Sequence, residues 1–365
     1  MRARRGTGLF GALVLLCLAL AGNAAEKVTL VMPIAYGTHL PGLGDSASKL
    51  VKLVAERSHG TLELDLKEPG DGTSPQEILD KVSSGNVDAG FATASLWAEK
   101  LPAAVLFAGF PFGPDARTYV DWFSTGKGRK LYQGLYDQAG LHVHVIPCAF
   151  GGGETSGWFV KEIKSPEELK QLRMRIFGLG GRVMAKLGAT AVLVPGGSIG
   201  SAFNGKEIDA AEFLTPSIDL KLGLQDHAKL LYVPGWHQPE TVLELLVNGD
   251  KWDALGSERQ QLLEGVCKNL LATTLAENPK LQAEALAQFT AKGVRIETWS
   301  GDLPKAFRDA WNEVAKEESD RDIYFRVVLT ELENFRAQRQ AKSEPPAMPL
   351  LPQMPDQQPQ TPRSP

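Results

Sequence analysis

The sequence predicts an α/β protein of two lobes with long C-terminal helices, and three observations predict it. Short apolar runs alternate with amphipathic helical stretches, that alternation occurs twice, and the last third is helical. The 365 residues suffice for two domains of about 100–200 residues each. Hydrophobic residues are 43% and charged residues 22%, which excludes a wholly disordered chain. A net charge of −4 offers no basic excess for phosphates, so no nucleic-acid partner is expected. Three cysteines in this length exclude a disulfide-framework fold.

The N-terminus carries Arg2, Arg4 and Arg5, then an apolar run from Leu9 to Ala21, then Gly22-Asn23-Ala24-Ala25. Positive, apolar and small residues in that order form a secretory signal. The run is shorter than the roughly 20 residues a membrane-spanning helix needs. Cleavage is expected near Ala24 or Ala25, and Leu16 before Cys17 is a poor lipoprotein site, so the mature chain is read as a soluble secreted product. Residues 1–25 are then a leader, 26–148 lobe I with part of the C-terminal third, 149–235 lobe II, and 236–341 a crossing strand and long helices. Residues 342–365, punctuated by eight prolines from Pro345 to Pro365, form a disordered tail.

Within lobe I, Val28–Met32 reads as a strand. Leu43, Ala47, Leu50, Val51 and Val54 recur at helical spacing, and Thr61–Leu66 alternates as a strand. Ser74-Pro75-Gln76-Glu77 is a capping box before Ile78, Leu79 and Val82, and Val87–Phe91 is the next strand. Strand and helix in alternation imply a parallel sheet. A changeover near Val143–Gly153 leads to the second unit. There Ser165-Pro166-Glu167-Glu168 is a second capping box, Met174–Phe177, Ala191–Val194 and Ile208–Phe213 are strands, and Arg182–Leu187 and Ile199–Asn204 are helices. Tyr232–Val247 reads as a return crossing. Ser257 with Gln260 opens a helix that Pro279 interrupts or restarts. Phe307, Trp311, Val314, Tyr324, Val328, Leu332 and Phe335 mark one long or two shorter amphipathic helices. Two lobes joined by crossings enclose a cleft, a favoured ligand site.

Three motifs are candidates for chemistry. Met174-Arg175-Ile176-Phe177-Gly178 runs from a strand through glycine into a helix start, where unpaired N–H groups face an anion and the fork of Arg175 matches a carboxylate. Val183 stands where a dinucleotide fingerprint needs its third glycine. Glu154, after three glycines, and Glu212, after an apolar strand, are a carboxylate pair suited to a hard cation. Gly196-Gly197-Ser198-Ile199-Gly200 matches a nucleophile elbow, with Asp219 or Asp226 and His227 or His237 in hydrolase order, although a capping Ser on a glycine turn explains it equally. His142 and His144 share a strand face without the further ligands of a zinc site. Trp97, Trp158 and Trp236 are candidates for cleft walls or for core. Cys148 and Cys267 form either one disulfide or two separate buried thiols.

In order, Gly85-Asn86-Val87-Asp88-Ala89, Pro111-Phe112-Gly113, Gly157-Trp158-Phe159-Val160-Lys161-Glu162-Ile163, Met174-Arg175-Ile176, Gly188-Ala189, Ile208-Asp209-Ala210-Ala211-Glu212 and Pro234-Gly235-Trp236 resemble the solute-binding subunit of TRAP (tripartite ATP-independent periplasmic) transporters. The likeness is to the branch that binds 2-oxo acids and related monocarboxylates, and it covers Val28 to Ala341. It implies a two-lobed periplasmic binding protein fold, no enzymatic activity, a small carboxylate gripped by Arg175, and membrane subunits as partners. It also implies a bridging ion, sodium or calcium, held by Glu154, Glu212 and the Phe213 carbonyl. Trp158 and Trp236 are expected to wall the ligand. Glu154 stands where that branch has Gln, which strengthens the pull on a divalent ion. The resemblance also makes the Phe307–Phe335 stripe a candidate homodimer face. The remaining alternatives are a secreted serine hydrolase using Ser198 and a ligand sensor for signalling.

Overall fold

The structure is a computed structural model that describes residues 26–343. The leader lies outside the described residues. The final helix runs to Ser343, two residues into the expected tail, and the rest of the tail lies outside them too. No helix among the described residues is long and apolar enough to cross a membrane.

Eleven strands are described: β1 (Val28–Pro33), β2 (Leu62–Lys67), β3 (Ala89–Ala92), β4 (Val143–Phe150), β5 (Gly157–Phe159), β6 (Arg173–Arg175), β7 (Thr190–Val192), β8 (Ala210–Ala211), β9 (Leu230–Tyr232), β10 (Val242–Asn248) and β11 (Arg295–Glu297). In lobe I, β1 and β2 pair in parallel, as their sequence alternation and the intervening helix Gly44–Arg57 require. That helix buries Ala47, Leu50 and Val54. Its first residue must be glycine, because a Cβ on Gly44 would lie 1.9 Å from the Gly37 carbonyl oxygen.

The expected all-parallel sheet does not form. The return crossing supplies β10, which inserts antiparallel between β3 and β4, and a single bridge, Ile34 to Phe91, ties β1 to β3. Every residue of β10 is buried, so this long-range strand competes successfully for the centre of the sheet. Ser74 and Glu77 do form their capping box. The second box does not: Pro166–Leu169 is one 3₁₀ turn, and Glu168 accepts from the Lys164 N–H instead of that of Ser165.

Lobe II has one six-stranded sheet in the order β11-β9-β5-β8-β6-β7. Period-two alternation sorts its side chains. Phe159, Met174, Ala210, Leu230 and Tyr232 enter one core, and Trp158, Ala211 and Leu231 the other. The chain crosses between the lobes at 151–156, at 233–241 and along the helix Gly249–Ala291. That helix breaks at Gly256 (φ 72°), so a fresh helical segment does open at Ser257, and it continues through Pro279 without ending.

Cys148 of β4 and Cys267 of this helix are disulfide-bonded, which settles the alternative the sequence left open. Two helices close the fold, Leu303–Arg321 and Ile323–Ser343. Phe307, Trp311, Val314, Val328 and Leu332 turn inward. They pack against this chain's own lobes, the first helix on Gly178–Lys186 and the second on helices of lobe I. These inward residues of the stripe are therefore core of this chain, while Ile323 and Val327 of the last helix stay exposed.

Candidate functional site

Strand direction explains where the site lies. β6 and β8 run parallel, with Arg175 registered on Ala211, so Arg175 and Glu212 leave the sheet at the same carboxyl-terminal edge. β5 runs antiparallel to β8, so the residues before it, including Glu154, reach that edge from the other direction. β9 is antiparallel to β5, so the chain after Tyr232 arrives there as well and brings His237. Four strand ends thus deliver four polar side chains to one place, at the carboxyl ends where open α/β sheets bind ligands.

All four are buried: Arg175 is 4% exposed, Glu154 7%, Glu212 5% and His237 7%. Arg175 Nε donates to the Val194 carbonyl at 3.2 Å. Its Nη1 donates to the Glu212 carbonyl and, at 3.3 Å, to Glu212 Oε2. The guanidinium carbon lies 3.9 Å from the Phe177 ring centre and 4.9 Å from that of Phe213. Among the described residues Nη2 has no acceptor. Glu154 Oε2 meets His237 Nε2 at 3.0 Å, and its Oε1 accepts from Gln238 Nε2 at 2.8 Å. Glu212 Oε1 stands 3.8 Å from the same imidazole nitrogen. Burial, with the charge of Glu212 adding to it, pushes the Glu154 carboxyl up, against the opposing contact with His237. Burial would lower the His237 pKa, but Glu154 and Glu212 outweigh it and raise it.

Behind this cluster stands Asp219, fully buried, whose carboxylate accepts from Trp158 Nε1 at 2.8 Å, Thr155 Oγ1 at 3.2 Å and the Leu214 N–H at 3.3 Å. Burial raises its pKa to about 8.

The structure therefore brings together Arg175, Glu154 and Glu212, with Phe213 adjoining. It sets Trp158 in the packed interior, edge-on to Phe289 at 4.8 Å, where it orients Asp219 instead of facing the cluster. Trp236 adjoins the site through its edge contact with His237 at 5.7 Å. It stacks on Phe307 at 4.7 Å and on Phe112 of lobe I at 5.8 Å. Trp97 belongs to the lobe I core, with its N–H on Tyr136. His142 pairs with Asp250, and His144 stacks on Trp252, so those two histidines do not converge.

The hydrolase arrangement is absent among the described residues. Ser198 is exposed on its turn, His227 pairs with Asn204, and His237 and Asp219 belong to the cluster above. Sequence reasoning weighed His237 only as a possible hydrolase histidine and missed its place beside Glu154 and Glu212. It sits in an irregular loop with no periodicity, and the signal for this role was its place directly after Pro234-Gly235-Trp236.

Residues 41–322 match the bacterial extracellular solute-binding proteins of family 7. A monocarboxylate 2-oxoacid-binding periplasmic protein of Nostoc sp. is 33% identical over 316 residues, covering 87% of this chain and 85% of that protein. A TRAP periplasmic solute-binding protein of Colwellia psychrerythraea, solved with calcium and pyruvate, is 30% identical with a TM-score of 0.81, covering 87% of this chain and 96% of that one. Its counterpart from Pseudoalteromonas atlantica, solved with sodium and pyruvate, is 29% identical with a TM-score of 0.80 over the same shares. With a two-lobed fold, a polar cluster at the sheet edge and a match over most of its length, this chain belongs to family 7 of the bacterial extracellular solute-binding proteins, periplasmic and non-enzymatic components of TRAP transport.

Proposed function

We propose that this protein captures a small monocarboxylate bearing a 2-oxo or 2-hydroxy group between its lobes and delivers it to the membrane subunits of a TRAP transporter. The observation that carries the reading is the meeting of Arg175 with Glu154 and Glu212 at one buried sheet edge. A guanidinium fork matches a carboxylate. Two carboxylates beside it would repel the same anion, and a cation between them reverses that repulsion. The donors present fit such an ion. Glu154 and Glu212 would hold it by side-chain oxygens, and Phe213, next in the chain, would add its main-chain carbonyl. The calcium or sodium and the pyruvate of the two solved relatives, and the 2-oxo acids for which the Nostoc protein is named, support this ligand class.

Trp236 forms a wall of the site, and Trp158 supports it from behind through Asp219. Ligand binding favours the closed arrangement of the lobes, and no bond in the ligand is made or broken. Cleavage of the leader near Ala24 or Ala25 releases the mature chain into the periplasm.

A thermal-shift panel of pyruvate, lactate, longer 2-oxo acids and dicarboxylates, with and without chelator, tests the reading. The largest shift is expected for a 2-oxo or 2-hydroxy monocarboxylate, and chelation should shrink it. A full shift retained by Arg175→Ala would refute the proposed anchor.

A further inference from the structure

We propose that a cavity at the hinge between the lobes is a second binding site, and that it takes a primary ammonium group carried on a short aliphatic stem. The site lies outside the carboxylate reading above: none of Arg175, Glu154, Glu212, Phe213 and His237 lines it.

The cavity holds about 340 Å³, within the range of small-molecule sites. All three crossings between the lobes wall it, through Gly152 of the first, Glu240 of the second, and Leu275 and Asn278 of the helix Gly249–Ala291. The start of the helix Ala116–Thr125 also lines it, with Ala116 buried and Asp115 and Arg117 exposed.

Glu240 supplies the charge. It is 8% exposed, and its Oε1 accepts from the N–H groups of Gly152 at 2.8 Å and Thr241 at 2.9 Å. Its Oε2 has no partner among the described residues. Buried carboxylates are ordinarily paired with a cation. Among the described residues none is paired with this one. Asp115 instead adds a like charge, and with burial it pushes the Glu240 carboxyl up to about 7, against the two N–H donors. Asn278, 7% exposed, supplies a second acceptor. Its Nδ2 donates to the Phe150 carbonyl at 2.8 Å, and its Oδ1 has no partner among the described residues.

The walls select the class of cation. A hard metal ion needs about six oxygens and far less room. A quaternary ammonium is held by aromatic faces, and no aromatic side chain lines this cavity among the described residues. A primary ammonium has three N–H donors, enough for Glu240 Oε2 and Asn278 Oδ1 together. Its aliphatic stem then lies along Ala116 and Leu275.

The test titrates the mature chain, labelled at its Ala and Leu methyl groups for NMR, with n-butylammonium. Tetramethylammonium, which has no N–H, is the control. The methyl signals of Ala116 and Leu275 should move most, and tetramethylammonium should bind at least about tenfold more weakly. Glu240→Gln keeps an oxygen for the Gly152 and Thr241 N–H groups and replaces the charged Oε2 by an amide NH₂. It should cut n-butylammonium affinity about 10- to 150-fold. The wild-type shifts decide the question even if that variant fails to fold, which a melting curve shows.

No saturable binding by the wild type, or the largest shifts away from Ala116 and Leu275, would overturn the proposal. So would an affinity that a folded Glu240→Gln protein keeps within about threefold. Pyruvate titrated into the same protein reports on the Arg175 site separately, so either reading can fail while the other stands.

Discussion

Arg175→Lys isolates the guanidinium's geometry from its charge. In the wild type Nε and Nη1 are committed to the Val194 carbonyl and to Glu212, while Nη2 has no acceptor among the described residues. A lysine keeps the positive charge beside Glu212 but has one nitrogen for all these partners. It cannot hold Glu212 and present a second, parallel donor to a bound carboxylate. One hydrogen bond to a charged group is worth about 1.5–3 kcal/mol. A loss of about 2–3 kcal/mol weakens binding roughly 30- to 150-fold.

The stacking on Phe177 and Phe213 is made within the protein itself, so its loss is expected to fall on stability, at about 0.5–2 kcal/mol. Arg175→Ala is the less clean variant, because it leaves Glu212 buried without its partner, at a cost of about 3–5 kcal/mol. Calorimetric titration with pyruvate, alongside a melting curve for each variant, separates affinity from folding. A folded Arg175→Lys protein that binds pyruvate within about threefold of wild type would refute the claim that the fork grips the carboxylate.

Two further outcomes are expected. Reducing the Cys148–Cys267 bridge, which joins residues 119 apart in sequence, should lower unfolding stability by about 2–5 kcal/mol in denaturant titration. Unchanged stability would mean that the bridge constrains nothing beyond what β4 and its helix already do. Glu244 is fully buried with both oxygens 2.9 Å from the Tyr136 hydroxyl, and burial raises its pKa from 4.5 to about 8. The folded state therefore keeps a proton that the unfolded state releases. Its stabilising contribution is full below about pH 4.5 and is lost as pH rises to about 8. Glu244→Gln should flatten that decline by a few kcal/mol over this window, measured as unfolding free energy against pH. A wild-type slope left intact by the substitution would count against it.

Local signals in the sequence found most of the elements. The spacing of Ala47, Leu50 and Val54 and the Ser74–Glu77 box gave helices where helices exist, because both act within a few residues. Arg175 and Glu212 were legible for the same reason, since each sits where an apolar strand ends. What escaped was long-range. β10 joins β3 and β4 from more than 90 residues away from the nearer of the two, and nothing in Val242–Asn248 names its neighbours. The helix stripe from Phe307 to Leu332 identified buried faces correctly but not what buries them, which is this chain itself. Trp158 was legible as a large apolar residue, while its role in orienting Asp219 depends on a contact 61 residues distant. His237 escaped because only the order of strands in the sheet brings its loop to Glu154.

The most direct measurement compares pyruvate binding by calorimetry before and after the protein's ions are removed by chelation in a sodium-free buffer, and again once ions are restored. A guanidinium and a cation sharing one anion require affinity to fall at least about 100-fold on stripping and to return with the ion. Equal affinity in all three states would contradict the account.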